Sequence, residues 1–156
     1  MSKGIKTLNL REGSFPIKMD LMFQDIDLQN IGCLKDSIFG NIKISKISKD
    51  LFRCEGSING IFTDKCRSCL KSIEVNLNVS CNLVIKDESL MMDDNSSQDQ
   101  THYQNLENFN TKQLIQEEIS LNYPNFVKCE ENCLKLESLE KEEKNLPFEK
   151  IRDLID

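Results

Sequence analysis

From Ile73 to Ile85 the odd positions are apolar (Ile73, Val75, Leu77, Val79, Cys81, Leu83, Ile85) and nearly every even one is polar. A period of two belongs to a strand with one buried face, so this segment predicts a strand. Upstream, Leu51 to Phe62 predicts another, with Phe52, Cys54, Ile58 and Phe62 on one face. Gly56 and Gly60 share that face, where a missing Cβ suggests a bulge or a close backbone approach. Thr63 to Ser72 joins the two strands into a hairpin whose tip carries Cys66-x-x-Cys69. Gly40 to Ile47 predicts a third strand, with Ser48-Lys49-Asp50 as its turn.

The flanks are less regular. Ile5 to Leu10 alternates weakly, as an edge strand does, and Gly13 and Pro16 interrupt it; Met19 to Ile31 has no clean period. Residues 87–108 are polar and acidic, and predict a flexible linker with little to bury. Asn110 or Thr111 is placed to cap a helix through Leu121, with Leu114, Ile115 and Ile119 facing the sheet and Pro124 ending it. Leu146 to Ile155 predicts a last amphipathic helix, with Pro147 in its first turn. The expectation is one α+β domain over residues 1–156: an antiparallel, curled β-sheet with a C-terminal pair of short helices.

Composition adds three constraints. With 38% hydrophobic residues, 29% charged, no Trp and few aromatics, a core built mainly from Ile, Leu and Val is expected. No apolar run approaches the roughly 20 residues that cross a bilayer, and no apolar stretch follows Lys3 and Lys6 as in an export signal. A cytoplasmic protein is expected, or one of an organelle stroma or matrix, without a membrane partner. Seven cysteines, an odd number, then argue for reduced thiols rather than a disulfide framework.

Charge is uneven. Residues 1–86 hold 13 Lys+Arg against 9 Asp+Glu (+4), and residues 87–156 hold 7 against 17 (−10), which sum to the net −6. Lys65, Arg67 and Lys71 cluster at the hairpin tip, and Lys43, Lys46 and Lys49 lie on or beside the third strand. A basic sheet face for RNA phosphate and an acidic half for protein is one reading; solvated surfaces without partners are the other.

The strongest chemical signal pairs Cys66-x-x-Cys69 with Cys129-x-x-x-Cys133. Four soft thiolates suit tetrahedral zinc if tip and later loop meet in space. Unliganded thiols, reversible oxidation, or two distant pairs remain open alternatives. In a thioredoxin-like site the Cys-x-x-Cys opens a helix; here strands flank it on both sides, which disfavours redox catalysis. Cys33, Cys54 and Cys81 are taken as inert, the last two on strand faces. His102, the single histidine, is expected to be a solvated loop residue, and Glu117 and Glu118, about 100° apart on a helix, a solvated or partner-facing edge. No residue set suggests catalysis.

The order of these features carries a resemblance. The hairpin with Cys66-Arg67-Ser68-Cys69-Leu70 is followed by an alternating strand, an acidic gap and a helix ending Leu114-Ile115-Gln116-Glu117-Glu118-Ile119-Ser120-Leu121-Asn122-Tyr123-Pro124. Then come Cys129-Glu130-Glu131-Asn132-Cys133 and Leu146-Pro147-Phe148-Glu149-Lys150-Ile151-Arg152-Asp153-Leu154. Over about residues 40–155 the chain resembles the YceD family, the large ribosomal RNA subunit accumulation proteins. Two departures stand out: Ser68 occupies the place where the family usually has Arg, and Leu134-Lys135-Leu136 stands where a Gly is common. The resemblance implies a non-catalytic factor supporting accumulation or processing of large-subunit (23S) rRNA, with that rRNA, its precursor particle or ribosomal proteins as partners. The rival is a small zinc-binding protein-interaction module without an RNA role.

Overall fold

The computed structural model describes residues 2–3, 7–26, 28, 31–93, 100–129 and 133. Its elements are β1 (Ser2–Lys3), β2 (Thr7–Leu8), β3 (Ile17–Phe23), β4 (Cys33–Leu34), β5 (Ile38–Ser48), β6 (Leu51–Lys65), β7 (Ser72–Asp87), β8 (Thr101–Gln104), β9 (Phe109–Asn110) and α1 (Thr111–Asn122). A 3-10 turn at Glu88–Leu90 follows β7, and Asp87 caps it by accepting from the Ser89 amide.

The alternation of Leu51 to Ile85 becomes the spine of the molecule. β6 and β7 pair antiparallel from Leu51↔Lys86 to Lys65↔Ser72 without a register shift. Phe52, Cys54, Ile58, Phe62, Leu77, Val79, Cys81, Leu83 and Ile85 are buried, the inward face that the period of two specifies. β5 pairs with the first part of β6, with one register irregularity between Lys46 and Ser48, while β4 pairs with its far end, Leu34 opposite Phe62. At Gly56 a Cβ would lie 1.9 Å from the Asn41 carbonyl oxygen, so the backbone of β5 comes closer than any side chain permits.

Several expectations need correction. The sheet runs β1-β3-β5-β6-β7-β8 with β4 beside β6, and its two outer pairs, β1/β3 and β7/β8, are parallel. It is therefore mixed rather than wholly antiparallel, and among the described residues the sheet does not close on itself, with no support for the curl. Met19 lies in a regular strand after all: Met19, Leu21 and Phe23 of β3 are buried, and only the apolar Met22 between them hid the alternation. The 87–108 stretch is not a linker throughout. β7 extends to Asp87, and β8 runs parallel beside it with Ile85↔His102 in register. A polar sequence can hold an edge strand when its backbone pairs on one side and its side chains find polar partners. Residues 94–99 lie outside the described residues.

Helix α1 is the one α-helix among the described residues. The Asn110 side chain accepts from the Lys112 amide at 2.9 Å, satisfying a free N-terminal donor, and the chain turns extended at Tyr123 before Pro124. Leu114, Ile115 and Ile119 are fully buried beneath it. The second expected helix, Leu146 to Ile155, lies outside the described residues.

Candidate metal centre

The β6–β7 tip is built by a turn that folds both cysteines inward. The Cys66 amide donates to the Lys71 carbonyl at 2.9 Å, and the Leu70 amide donates to the Cys66 carbonyl at 2.9 Å. Leu70 sits at φ 60, the left-handed region that a non-glycine residue enters only at some cost. The Arg67 amide donates to the Val127 carbonyl at 2.8 Å, joining the tip to the segment after α1. Tyr123 reinforces that junction: its hydroxyl donates to Asp64 Oδ2 at 2.7 Å and its ring packs edge-on against Phe62 at 5.4 Å. Gly32 is needed here too, since a Cβ would fall 2.6 Å from the Thr63 carbonyl oxygen.

These contacts bring two distant cysteine pairs together. The sulfurs of Cys66, Cys69, Cys129 and Cys133 all lie within 4.8 Å of one another. Cys66 and Cys133 are 3.6 Å apart, Cys69 and Cys129 3.5 Å, and Cys66 and Cys129 3.6 Å. These separations far exceed a disulfide bond of about 2.05 Å. They match the edge of a tetrahedron, about 3.8 Å for Zn–S bonds of about 2.3 Å. Four sulfurs at tetrahedral spacing could hold a metal ion, and the donor set selects a soft or borderline one.

Electrostatics agree with that geometry. The amides of Cys69 and then Cys129 and Ser68 lower the Cys66 thiol to about 5 against the opposing effect of burial, which favours the thiolate form that ligates a metal. Cys129 is pushed up to about 12, first by its contact with the Cys133 sulfur and then by burial and the other two sulfurs. Crowded sulfurs cannot all ionise alone; a divalent cation among them reverses this, because coordination deprotonates a thiol outright. The donor set therefore fits a metal.

A family model described as large ribosomal RNA subunit accumulation protein YceD matches residues 54–153. The chain belongs to the YceD family. The YceD match begins within β6 and takes in the tip, α1 and all four clustered cysteines. No curated protein and no solved structure matches the chain.

The six candidate RNA-contacting cations of this YceD chain are all exposed, in two groups. Lys65, Arg67 and Lys71 ring the metal-centre tip. Lys43 and Lys46 lie toward the other end of the sheet, and Lys49 sits in the β5–β6 turn opposite that tip. Along the fifteen residues of β6 the two ends stand roughly 45 Å apart. Lys43 projects from the outer face, whereas Lys46 has the parity of buried Ile42 and Ile44 and emerges where the strand leaves the core. The first three cations lie at the tip end of the β6–β7 pair and the other three toward the opposite end.

Two polar residues differ from the sequence expectation. His102 is 1% exposed beneath α1, not solvated. Its Nε2 meets the Gln104 amide nitrogen at 2.8 Å and its Nδ1 lies 2.8 Å from Glu117 Oε2. Because the amide nitrogen is a donor, Nε2 accepts and Nδ1 carries the proton. Glu118 is 2% exposed, with Oε1 accepting from Gln100 Nε2 at 2.8 Å, so it is no solvated edge. The heptad-like apolar face of α1 gives no hint of either burial, which depends on β8. Cys54 and Cys81 are buried as read, their sulfurs 3.9 Å apart; contact with Cys81 and burial push the Cys54 thiol far up. Cys33 is exposed on β4.

Proposed function

We propose that the chain is a non-catalytic ribosome-biogenesis factor that supports accumulation or processing of large-subunit rRNA. Its membership of the YceD family carries this reading. The four-cysteine centre supports a structural role for the tip, and zinc is the ion proposed for it. Zinc has no redox chemistry of its own here, and four thiolates leave it no open position for a substrate. Its work is to cross-link the β6–β7 tip to the segment after α1. The exposed cations at that tip, Lys65, Arg67 and Lys71, are the proposed phosphate contacts.

Depletion of the protein followed by measurement of mature and precursor rRNA from both subunits tests the function. Selective loss of large-subunit rRNA is expected, and unchanged large-subunit rRNA overturns it. Metal analysis of protein purified without chelator tests the ion, with about one equivalent of zinc expected. Replacing Lys65, Arg67 and Lys71 by Glu should abolish co-sedimentation with large-subunit precursors while leaving the sheet folded. Binding with an unchanged salt slope would show that these cations do not contact RNA.

A further inference from the structure

Beside the metal-centre tip stands an aromatic side chain that the core does not use. Phe126 is 76% exposed, although its neighbours in sequence and space, Val127 and Tyr123, are buried at 6% and 8%. The Arg67–Val127 backbone hydrogen bond of 2.8 Å fixes the segment that carries it against the tip. Leu70, on the tip itself, is 68% exposed and held at φ 60, where glycine would be easier to accommodate. Two exposed apolar residues therefore lie within three residues of that junction, among the exposed cations Lys65, Arg67, Lys71 and Lys128. Between tip and post-helix segment lies a cleft of about 310 Å3, whose lining includes Arg67, Asp64, Tyr123 and Asn125.

Charge limits what such a surface can accept. Four thiolates and one Zn2+ sum to −2, the four surrounding cations to +4 and Asp64 to −1, leaving +1 among the described residues at the tip of a chain whose net charge is −6. That balance favours an anionic partner, and an aromatic face beside cations favours one that also has flat apolar rings. Duplex RNA hides its bases in the stack and offers mainly phosphate and ribose; unpaired RNA offers bases to an exposed ring.

We propose that the zinc-stapled tip binds unpaired RNA, with Phe126 stacking on a base while Arg67 and Lys128 contact the flanking phosphates. This rests on the rRNA reading above and adds the form of RNA and the residue that selects it. The metal centre's part is positional, since it holds the Phe126 segment beside the cations.

The test uses the full chain, a single-stranded oligouridine and a hairpin duplex of equal length, with affinities measured across a salt series. Single-stranded RNA should bind more tightly than duplex. Phe126→Ala should weaken it roughly 5- to 100-fold with no change in salt slope, and Phe126→Tyr should restore it. Arg67→Gln should lower the slope by about 1. At 76% exposure Phe126 can be removed without unfolding the chain, which an unchanged Tm verifies. Equal binding of single strand and duplex, or unaltered oligouridine binding by Phe126→Ala, overturns the proposal. So does loss of precursor-particle binding with oligouridine binding intact, because Phe126 would then face protein. Those failures leave the rRNA reading standing if depletion still lowers large-subunit rRNA; normal rRNA on depletion removes the reading itself.

Discussion

Gly56 lies where β5 and β6 pack so closely that a methyl group would fall 1.9 Å from the Asn41 carbonyl oxygen. Gly56→Ala should therefore cost about 3 kcal/mol by chemical denaturation, as overpacking against rigid backbone does. Gly60→Ala meets side chains rather than backbone, Ile38 at 3.1 Å and Phe62 at 3.3 Å, and should cost less. The buried pair His102 and Glu118 gives a second prediction. Burial lowers the His102 pKa below 6.5, with Glu117 opposing, so the unfolded chain takes up the proton first. Its stabilising contribution is complete above about pH 6.5 and is lost as pH falls through the folded pKa. Burial, then Glu117, raises Glu118 above 4.5, so its contribution is present at low pH and is lost as pH rises through its folded pKa. Melting profiles from pH 4 to 8 should thus flatten below about pH 6.5 in His102→Gln, while Glu118→Gln should raise Tm near neutrality. Unchanged profiles would mean that these groups titrate alike in both states.

On the scale of elements, β8 and α1 depend on each other. The Val84 amide donates to the Gln100 carbonyl at 3.0 Å, and the Gln100 side chain donates to buried Glu118. Gln100→Ala removes the partner of that carboxylate and should cost about 1–3 kcal/mol. A loss near zero would show that water replaces it. Leu114→Ala, in the fully buried face of α1, should cost about 2–5 kcal/mol, whereas Leu121→Ala, 64% exposed, should cost little. Denaturation midpoints for the three variants rank them. The helix itself was legible in the sequence because its cap, its apolar spacing and Pro124 are all local. β8 was not, because a four-residue parallel edge strand has no local period: its pairing lies on β7 and its burial beneath α1.

For the whole molecule, the core and the metal centre are separable. The sheet core around Phe52, Ile58 and Ile85 is filled by side chains alone, while the tip is joined to the post-helix segment through four sulfurs and a few hydrogen bonds. Chelation of the metal, or Cys69→Ser, should lower Tm and speed amide exchange in residues 66–71 and 123–129, yet leave exchange in the middle of β6 and β7 slow. Global unfolding on chelation would show that the metal holds the core as well, as in a zinc finger.

The strand period of Leu51 to Ile85, the turn at Ser48-Lys49-Asp50, the helix cap at Asn110 and the Cys-x-x-Cys at a hairpin tip were determined by sequence alone, because each rests on contacts within a few residues or on a strict alternation. The tertiary structure decided the rest. It decided that Cys129 and Cys133 reach Cys66 and Cys69 across some sixty residues, because the Arg67–Val127 hydrogen bond and the Tyr123–Asp64 contact bring the two segments together. It decided that His102 and Glu118 are inside, since only the parallel docking of β8 beside β7 covers them. It also divided the cations between two ends of β6: charge counts along a chain are one-dimensional, and a fifteen-residue strand carries its ends far apart.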